Sequence, residues 1–279
     1  MQAGMPSRTA LAAAAHRAAH QVLESGRIFA DPLAVAILGE DGEALVREAE
    51  GRPERARMRM FIAMRTRFAE DALAKAVGRG VRQLVVLGAG LDTYAYRGGL
   101  REQLRIFEVD HPATQAWKRA RLAAAGIALP ATLTFAPVDF EREGLAAGLA
   151  AAGFDAAEPA FFTWLGVVPY LTEDAVWSTL GIVAAGAGGA EVVFDYGDPP
   201  DTLTPEARAA HDERAQRVAA LGEAWASYFE PAALHAKLAA LGLGEIEDLG
   251  PPQLVARYTG RSAAGVPERG GHVLRARSR

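Results

Sequence analysis

The sequence contains no cysteine among its 279 residues. This absence excludes disulfide bonds, thiolate nucleophiles and cysteine-ligated metal sites, and it favours a reducing compartment, so we expect a cytoplasmic protein without a metal. Long apolar runs are missing too. The segment 11–15 has five residues, whereas the core of a secretion signal needs about 7–15. The segment 176–194 is interrupted by glycines and Glu191, whereas a membrane span needs roughly 20 mostly apolar residues, so we expect no membrane partner.

An excess of basic charge is also absent, since 30 Lys and Arg residues face 34 Asp and Glu residues for a net charge of −4. The sequence therefore carries no electrostatic signature of a nucleic-acid-binding protein. Half of the residues are hydrophobic and 23% are charged, which is the composition of a folded globular chain.

Short apolar segments rich in β-branched and aromatic residues recur from residue 81 onward, and each is followed by helical sequence. The predicted strands are 83–87, 105–110, 133–138, 160–165 and 191–194. This alternation predicts an α/β fold with a parallel sheet and crossover helices, and the unbroken apolar character indicates that both faces are covered. The segments 244–249 and 271–276 can add an antiparallel pair at one edge. We expect a Rossmann-like, open, mostly parallel sheet of about seven strands.

The first 78 residues contain only helical patterns, which cover 8–25, the stretch from Asp31-Pro32 to Leu38, and 53–77. We therefore expect one domain over 1–279, in which 1–78 form a helical cap and 79–279 form the core. A helical insertion at about 200–228 follows the fifth strand, and we expect it to help the cap to cover a substrate pocket.

A glycine turn, Gly88-Ala89-Gly90, ends the first predicted strand, where open α/β sheets bind their ligands. Asp110 follows Gly88 by 22 residues and ends the second strand, which is the usual place for an acidic residue that binds a ribose diol. Two cofactor classes use this geometry. A dinucleotide requires a third glycine, where this chain has Thr93, and the neighbouring Asp92 would repel a pyrophosphate. S-adenosylmethionine has no phosphate, so the pattern favours it over NAD(P).

Other residues suit the remaining parts of S-adenosylmethionine. Arg65 and Arg67 precede the first strand, and a guanidinium binds a carboxylate through two parallel hydrogen bonds. Asp139 and Phe140 follow the third strand, where they can contact an adenine. Candidates for a general base are His111, Tyr170 and Tyr196 near strand ends, but none is assigned as a catalytic residue.

Several sequence blocks together resemble the leucine carboxyl methyltransferase family, above all its bacterial branch of S-adenosylmethionine-dependent methyltransferases. The blocks are Phe29-Ala30-Asp31-Pro32-Leu33-Ala34, Arg65-Thr66-Arg67-Phe68 with Asp71, Leu87-Gly88-Ala89-Gly90-Leu91-Asp92-Thr93 with Arg97, Phe107-Glu108-Val109-Asp110-His111-Pro112 with Lys118, Val138-Asp139-Phe140, Trp164-Leu165-Gly166-Val167 with Tyr170-Leu171-Thr172, and Ala256-Arg257-Tyr258. The resemblance implies the fold of a class I methyltransferase.

The resemblance also implies roles for matched residues. Arg67 holds the carboxylate of the cofactor, with Arg17 as a second cation, and the turn and Asp110 hold the adenosine. The implied cofactor-binding set is Arg17, Arg67, Gly88, Ala89, Gly90, Asp110, His111, Asp139, Phe140 and Leu165. Leu165 is a departure, because the family often has glutamate there. Either the contact to the cofactor ammonium moves elsewhere, for which Asp92 is the candidate, or the affinity is lower. We favour the first alternative.

The activity implied by the resemblance is methyl transfer to a carboxylate or hydroxyl oxygen of a small-molecule acceptor. Two alternatives remain open at this point: an NAD(P)-binding oxidoreductase of Rossmann type, and a protein that binds the cofactor without turnover. The sequence identifies neither the acceptor nor the oligomeric state.

Overall fold

The computed structural model describes residues 7–138, 144–220 and 222–278. Its α-helices are α1 (Arg8–Leu23), α2 (Gly42–Glu50), α3 (Ala56–Gly78), α4 (Tyr94–Arg97), α5 (Pro112–Ala124), α6 (Leu145–Ala151), α7 (Glu173–Ala184), α8 (Pro205–Ala220), α9 (Pro231–Ala240) and α10 (Pro251–Thr259). Its strands are β1 (Gln83–Leu87), β2 (Arg105–Asp110), β3 (Leu133–Pro137), β4 (Ala160–Trp164), β5 (Ala190–Gly197), β6 (Glu245–Leu249) and β7 (Gly271–Arg277). Within these ranges, no helix combines the length and apolar character that a membrane crossing requires.

The strands form one seven-stranded sheet in the order β3-β2-β1-β4-β5-β7-β6. The first five strands are parallel, while β7 runs antiparallel to both β5 and β6 and lies between them. The structure thus confirms the predicted open, mostly parallel sheet and its antiparallel edge. The strand order reverses between β1 and β4, so the carboxyl ends of these strands flank the crevice where such sheets bind ligands.

Both faces of the sheet are buried, as the unbroken apolar strands predicted. Adjacent residues of each strand point to opposite faces, so two hydrophobic cores result. The face toward α3 and α10 includes Leu84, Ile106, Phe161, Val193 and Val273. The face toward α6, α7 and α9 includes Val85, Phe107, Phe162, Phe194 and Leu274.

The N-terminal region is helical, as predicted, but one of its helices is absent. The stretch from Asp31 to Leu38 forms turns, which continue into a 3-10 helix at Ala36–Asp41. The Asp31 carboxylate does accept the backbone N–H of Leu33 at 3.1 Å, as an N-cap would. Gly39, however, adopts a φ of 65°, which is incompatible with a continuing α-helix.

A buried carboxylate joins this N-terminal region to the glycine turn. Asp31 is completely buried. It lies 3.3 Å from the Arg17 and Arg97 guanidiniums and accepts a hydrogen bond from the Thr93 hydroxyl at 2.7 Å. We call Asp31, Arg17, Thr93 and Arg97 the Asp31 cluster. Because Thr93 and Arg97 directly follow the glycine turn, the cluster fixes the cap onto the end of β1.

We expect Asp31→Ala to lower the free energy of unfolding by about 3–5 kcal/mol, because the substitution leaves the buried Arg17 guanidinium without its counterion. Urea unfolding at pH 7 measures this loss. Glu43→Ala is the control: Glu43 and its partner Arg47 are 83% and 68% exposed, so its removal should cost less than about 1 kcal/mol. Equal effects of the two substitutions would contradict the role of the Asp31 cluster.

A second buried network lies at the carboxyl end of β5. The imidazole of His272 lies 3.1 Å from Asp198 and 3.0 Å from Asp248, and its ring stacks on Tyr196 at 4.8 Å. Asp248 also accepts a hydrogen bond from the Tyr196 hydroxyl at 2.5 Å. Burial by itself lowers the pKa of His272, but the hydrogen bonds to Asp198 and Asp248 outweigh it and raise this pKa to about 9. His272 is therefore a charged structural residue at neutral pH.

This network predicts a pH dependence of stability. Because the pKa of His272 rises from 6.5 to about 9 on folding, the stabilisation is complete below pH 6.5 and is lost as the pH rises through 9. The loss should amount to about 3 kcal/mol. We expect urea unfolding of the wild type between pH 6 and 10 to show this decline and His272→Gln to show a flatter profile. Parallel profiles would contradict the assignment.

Candidate cofactor site at the carboxyl ends of β1 and β2

The glycine turn after β1 has a backbone that requires glycine at two positions. Gly88 and Gly90 have φ angles of 63° and 43°, in the left-handed region that side chains disfavour. A Cβ on Gly88 would lie 2.5 Å from Val167, and a Cβ on Gly90 would lie 2.9 Å from Ala10. Between these residues, Ala89 is buried and donates its N–H to Val109 at 3.0 Å. The turn is thus packed between α1 and the loop after β4.

Asp110 ties the ends of β1 and β2 together. One carboxylate oxygen accepts the Gly90 N–H at 2.6 Å, and the other accepts the His111 N–H at 2.7 Å. Burial raises the pKa of Asp110, while these two backbone hydrogen bonds lower it. Each carboxylate oxygen has a further lone pair. Asp110 can therefore still accept hydrogen bonds from the two hydroxyls of a ribose.

His111 and Arg17 adjoin the turn in different ways. The His111 Nδ1 accepts the N–H of Ala113 at 3.2 Å and caps α5. Arg17 belongs to α1 and is 8% exposed. Its guanidinium donates a hydrogen bond at 2.5 Å to the carbonyl oxygen of Leu91, the residue after Gly90. The structure therefore brings Arg17 close to the turn, and its guanidinium also forms an ion pair with Asp31.

The two arginines of α3 point in different directions. Residues two apart on an α-helix lie about 200° apart around its axis, so only one of them can face the sheet. Arg65 is the buried one, with its guanidinium 2.6 Å from Asp195 on β5. Arg67 is 50% exposed and pairs with Asp71 at 2.8 Å. The structure does not bring Arg67 to the glycine turn, because its side of α3 faces solvent and α10, where Tyr258 contacts Asp71.

Arg65 meets the end of β4. Asp195 accepts both its guanidinium and the Gly166 N–H, each at 2.6 Å. A Cβ on Gly166 would lie 2.7 Å from the Arg65 Nη2, so glycine makes room for the guanidinium. The Arg65 Nε is buried and has no hydrogen-bond partner within the described part of the chain. An unsatisfied buried N–H of this kind is suited to a ligand oxygen.

A small crevice lies between α3 and strands β1 and β4, with about 20 Å³ of space for a group the size of a water molecule. Leu165 lines it beside Asp92 and Thr163, and Glu70 of α3 lines the opposite side. Leu165 also packs against the hydrophobic core on the α3 face of the sheet. The wall at this position is therefore apolar, while the charge comes from Asp92 and Glu70.

The remaining sequence-predicted residues divide into those outside and those inside the described part. Asp139 and Phe140, predicted to contact adenine, lie outside the described residues. Tyr196 is 2% exposed, and its hydroxyl is bonded to Asp248. Tyr170 follows β4, and burial raises the pKa of its hydroxyl.

The insertion after β5 contacts the cap above this site. Glu223 follows α8, and its carboxylate accepts the backbone N–H groups of Arg8 and Thr9 at 2.9 and 3.2 Å. It thereby binds the first turn of α1, which also carries Ala10 against Gly90. Further along, Ser227 donates to the Val168 carbonyl at 2.9 Å. The insertion and the cap together enclose the carboxyl ends of β1 and β4.

Sequence reasoning missed Glu70 and Asp195 as members of the site. Asp195 lies within the buried strand β5. The signal that could have identified it is a carboxylate inside an apolar segment. Glu70 lies four residues after Thr66, hence on the same face of α3. Both residues can be assigned to the site only once it is known which face of α3 packs on the sheet.

The strand order and the glycine turn together define a class I methyltransferase fold. The sequence profile of the family described as "Leucine carboxyl methyltransferase" matches residues 10–184, more than half of the chain. The chain therefore belongs to the leucine carboxyl methyltransferase family, as the sequence blocks predicted.

Individual relatives agree with this membership. A Bacillus subtilis (strain 168) protein named "Putative S-adenosyl-L-methionine-dependent methyltransferase YktD" is 33% identical over 192 residues, which are 68% of this chain and 63% of the relative. A Mycolicibacterium smegmatis protein named "Putative S-adenosyl-L-methionine-dependent methyltransferase" is 30% identical over 224 residues, which are 75% of this chain and 70% of the relative. The match to the Bacillus protein thus covers about three fifths of that relative's length.

Solved structures share the fold. A Thermobifida fusca protein described as a "putative methyltransferase" aligns over 100% of this chain and 97% of its own, with a TM-score of 0.58 and 18% identity. A DUF574 family protein from Streptomyces avermitilis aligns over 95% of this chain and 97% of its own, with a TM-score of 0.51 and 18% identity. Because both identities are 18%, these similarities show a shared fold only.

The contrast between Arg65 and Arg67 gives a matched experiment. Arg65→Lys keeps a positive charge for Asp195 but loses the planar fork, so we expect the affinity for S-adenosylhomocysteine to fall about tenfold. Arg67→Lys should change it less than about twofold, since an exposed ion pair contributes little. Titration calorimetry measures both affinities. A larger loss in Arg67→Lys than in Arg65→Lys would support Arg67 as the residue that binds the carboxylate, which is the role that the resemblance implies.

Proposed function

We propose that the protein is an S-adenosylmethionine-dependent methyltransferase that methylates an oxygen of a small-molecule acceptor. The single observation that carries the proposal is the position of Asp110, which joins the ends of β1 and β2 by accepting the Gly90 N–H at 2.6 Å. The Asp110 carboxylate is thereby held in place and keeps free lone pairs for the two hydroxyls of a ribose. Membership of the leucine carboxyl methyltransferase family and the names of the bacterial relatives support the same cofactor.

The residues present fit this cofactor in one further respect. Arg65 has a buried Nε without a partner in the described ranges, as a carboxylate ligand would require. We therefore propose that Asp110 binds the ribose, that Arg65 binds the methionyl carboxylate, and that Arg17 holds the end of the glycine turn through the Leu91 carbonyl.

The cofactor, when bound, supplies an electrophilic methyl group. The protein's own contribution is alignment of the acceptor, which can account for about 7–11 kcal/mol of a barrier. The cap and the insertion, joined through Glu223 and the first turn of α1, would exclude water from the reacting atoms. This role for the insertion is the one expected from its position after β5.

A carboxylate acceptor suits the site better than a hydroxyl, because a carboxylate needs no general base. Of the three candidate bases, His111 uses its Nδ1 to cap α5, the Tyr196 hydroxyl bonds Asp248, and burial raises the pKa of Tyr170, so its hydroxyl loses a proton less readily. A hydroxyl acceptor would need a base within hydrogen-bond reach of its proton. We therefore place an acceptor carboxylate first, and a hydroxyl acceptor second.

The NAD(P) alternative fits the same turn less well. A pyrophosphate binds best at the N-terminus of a long helix, but the helix after the glycine turn, α4, has four residues. At the position of a third glycine, Thr93 is completely buried and bonded to Asp31. Asp92 adds a negative charge beside the turn.

Two measurements test the proposal. In a thermal-shift and calorimetry panel, S-adenosylhomocysteine at 100 times its dissociation constant should stabilise the protein by about 2.7 kcal/mol. NADH and NADPH at the same concentration should leave the stability unchanged. A larger effect of a nicotinamide cofactor would overturn the proposal.

The second measurement concerns turnover. We expect methyl-labelled S-adenosylmethionine to label at least one member of a panel of small carboxylates, giving a base-labile methyl ester. The panel should include matched alcohols. Cofactor binding without transfer to any acceptor would instead favour a cofactor-binding protein without turnover.

A further inference from the structure

The crevice between α3, β1 and β4 carries an unusual distribution of charge. Most of its lining is apolar or neutral, and its ionisable groups are the two carboxyls of Glu70 and Asp92 and the phenol of Tyr94. It lies directly beside the turn that we propose to hold S-adenosylmethionine. No basic side chain lines it, so a bound group here experiences negative charge.

The two carboxylates differ in what they already bind. Both oxygens of Glu70 accept hydrogen bonds from the Arg97 guanidinium, at 2.6 and 3.3 Å. In Asp92, one oxygen accepts the Tyr94 N–H at 2.8 Å. Among the described residues, the other oxygen of Asp92 has no hydrogen-bond donor and no cation within ion-pair distance. Asp92 is therefore the carboxylate with remaining capacity.

The surrounding charges leave Asp92 uncompensated. Apart from the Glu108–Lys118 ion pair, which balances itself, the nearby carboxylates are those of Asp31, Glu70 and Asp92. The guanidiniums paired with them are Arg17 and Arg97. Three negative charges thus meet two positive ones. Burial raises the pKa of Glu70, Arg97 opposes this rise, and Asp92 and Asp31 add to it. One additional cation in the crevice would balance the group.

From these observations we infer that Asp92 accepts a hydrogen bond from the α-ammonium of the cofactor's methionine tail. The carboxylate of Glu70, which is paired with Arg97, lines the same crevice. The inference rests on the proposed cofactor. An ammonium offers three N–H donors, and hydrogen bonds between two charged groups are stronger than neutral ones. Leu165 contributes an apolar wall beside Asp92, and an apolar neighbour strengthens an attraction between charges.

The ammonium and the carboxylate of the tail share one carbon, so this placement requires both groups to lie between α3 and the end of β4. The ammonium would point toward Asp92 and the carboxylate toward the Arg65 guanidinium beside Gly166. A metal ion is a poorer occupant, because no three His, Asp or Glu side chains within residues 7–138, 144–220 and 222–278 are grouped as metal ligands. A singly charged ammonium matches one uncompensated carboxylate.

The test compares three ligands by titration calorimetry on the full chain. S-adenosylhomocysteine has the complete tail, its des-amino analogue keeps the carboxylate but lacks the ammonium, and 5′-methylthioadenosine lacks both. The wild type should bind S-adenosylhomocysteine about 10- to 100-fold more tightly than the des-amino analogue, the range expected for a hydrogen bond between charged groups. Binding is the readout, so no acceptor is needed.

Asp92→Asn is the decisive variant, because asparagine retains an oxygen for the Tyr94 N–H while removing the charge. We expect its affinity for S-adenosylhomocysteine to fall about 10- to 100-fold and its affinities for the other two ligands to change less than about twofold. Glu70→Gln should lower the affinity for S-adenosylhomocysteine less, by about two- to fivefold, because the Glu70 carboxylate attracts the ammonium from a distance without a hydrogen bond to it. Glu43→Gln, at an exposed carboxylate of α2, is the control and should alter no affinity.

Three outcomes would overturn the inference. Equal losses for S-adenosylhomocysteine and the des-amino analogue in Asp92→Asn would mean that Asp92 supports the turn rather than the ammonium. An unchanged affinity in Asp92→Asn would remove Asp92 from the site. Failure of the wild type to bind any of the three ligands would overturn the proposed function as well, and this result is distinguishable because it does not depend on the variants.

Discussion

The burial of the Asp31 carboxylate is the constraint on which the rest of the structure depends. A carboxylate with no exposure to water must be paired, and its partners come from two separate parts of the chain. Arg17 belongs to α1, whereas Thr93 and Arg97 follow the glycine turn. Satisfying Asp31 therefore brings the cap onto β1, and the cap then supplies Ala10 against Gly90. The glycine turn has its shape only in this context.

The helix α3 connects that constraint to the proposed chemistry. It belongs to the N-terminal region, yet its buried side supplies Arg65 to the end of β4 and Glu70 to Arg97. A guanidinium and a carboxylate are thus held on successive turns of one helix, with Asp195 beside Arg65 and Asp92 lining the same crevice as Glu70. A zwitterionic ligand tail is complementary to such a separation, since each of its charges meets the opposite sign. The cap is in this sense part of the binding site as well as its cover.

The sequence predicted the sheet well because its signals are local. The bounds predicted for β1 and β2 coincide with the observed strands, since each is a short apolar run that ends at a turn or at an acidic residue. The antiparallel edge followed from two further runs near the C-terminus. The helix expected at Asp31-Pro32 was wrong, because the Asp31 carboxylate has buried partners distant in sequence and Gly39 takes a positive φ. Local cap signals do not report such long-range competition.

By itself, the sequence determined the strand segments, the glycine turn, the position of Asp110 and the family, because these depend on residue type and spacing along the chain. Residue type and spacing did not distinguish Arg65 from Arg67, and only the resemblance implied Arg67. Only packing of α3 on the sheet sets the rotation of the helix, burying one guanidinium beside Asp195 and leaving the other half exposed. The uncompensated charge at Asp92 likewise exists only in three dimensions, because it is a balance among groups that the fold collects from distant parts of the chain.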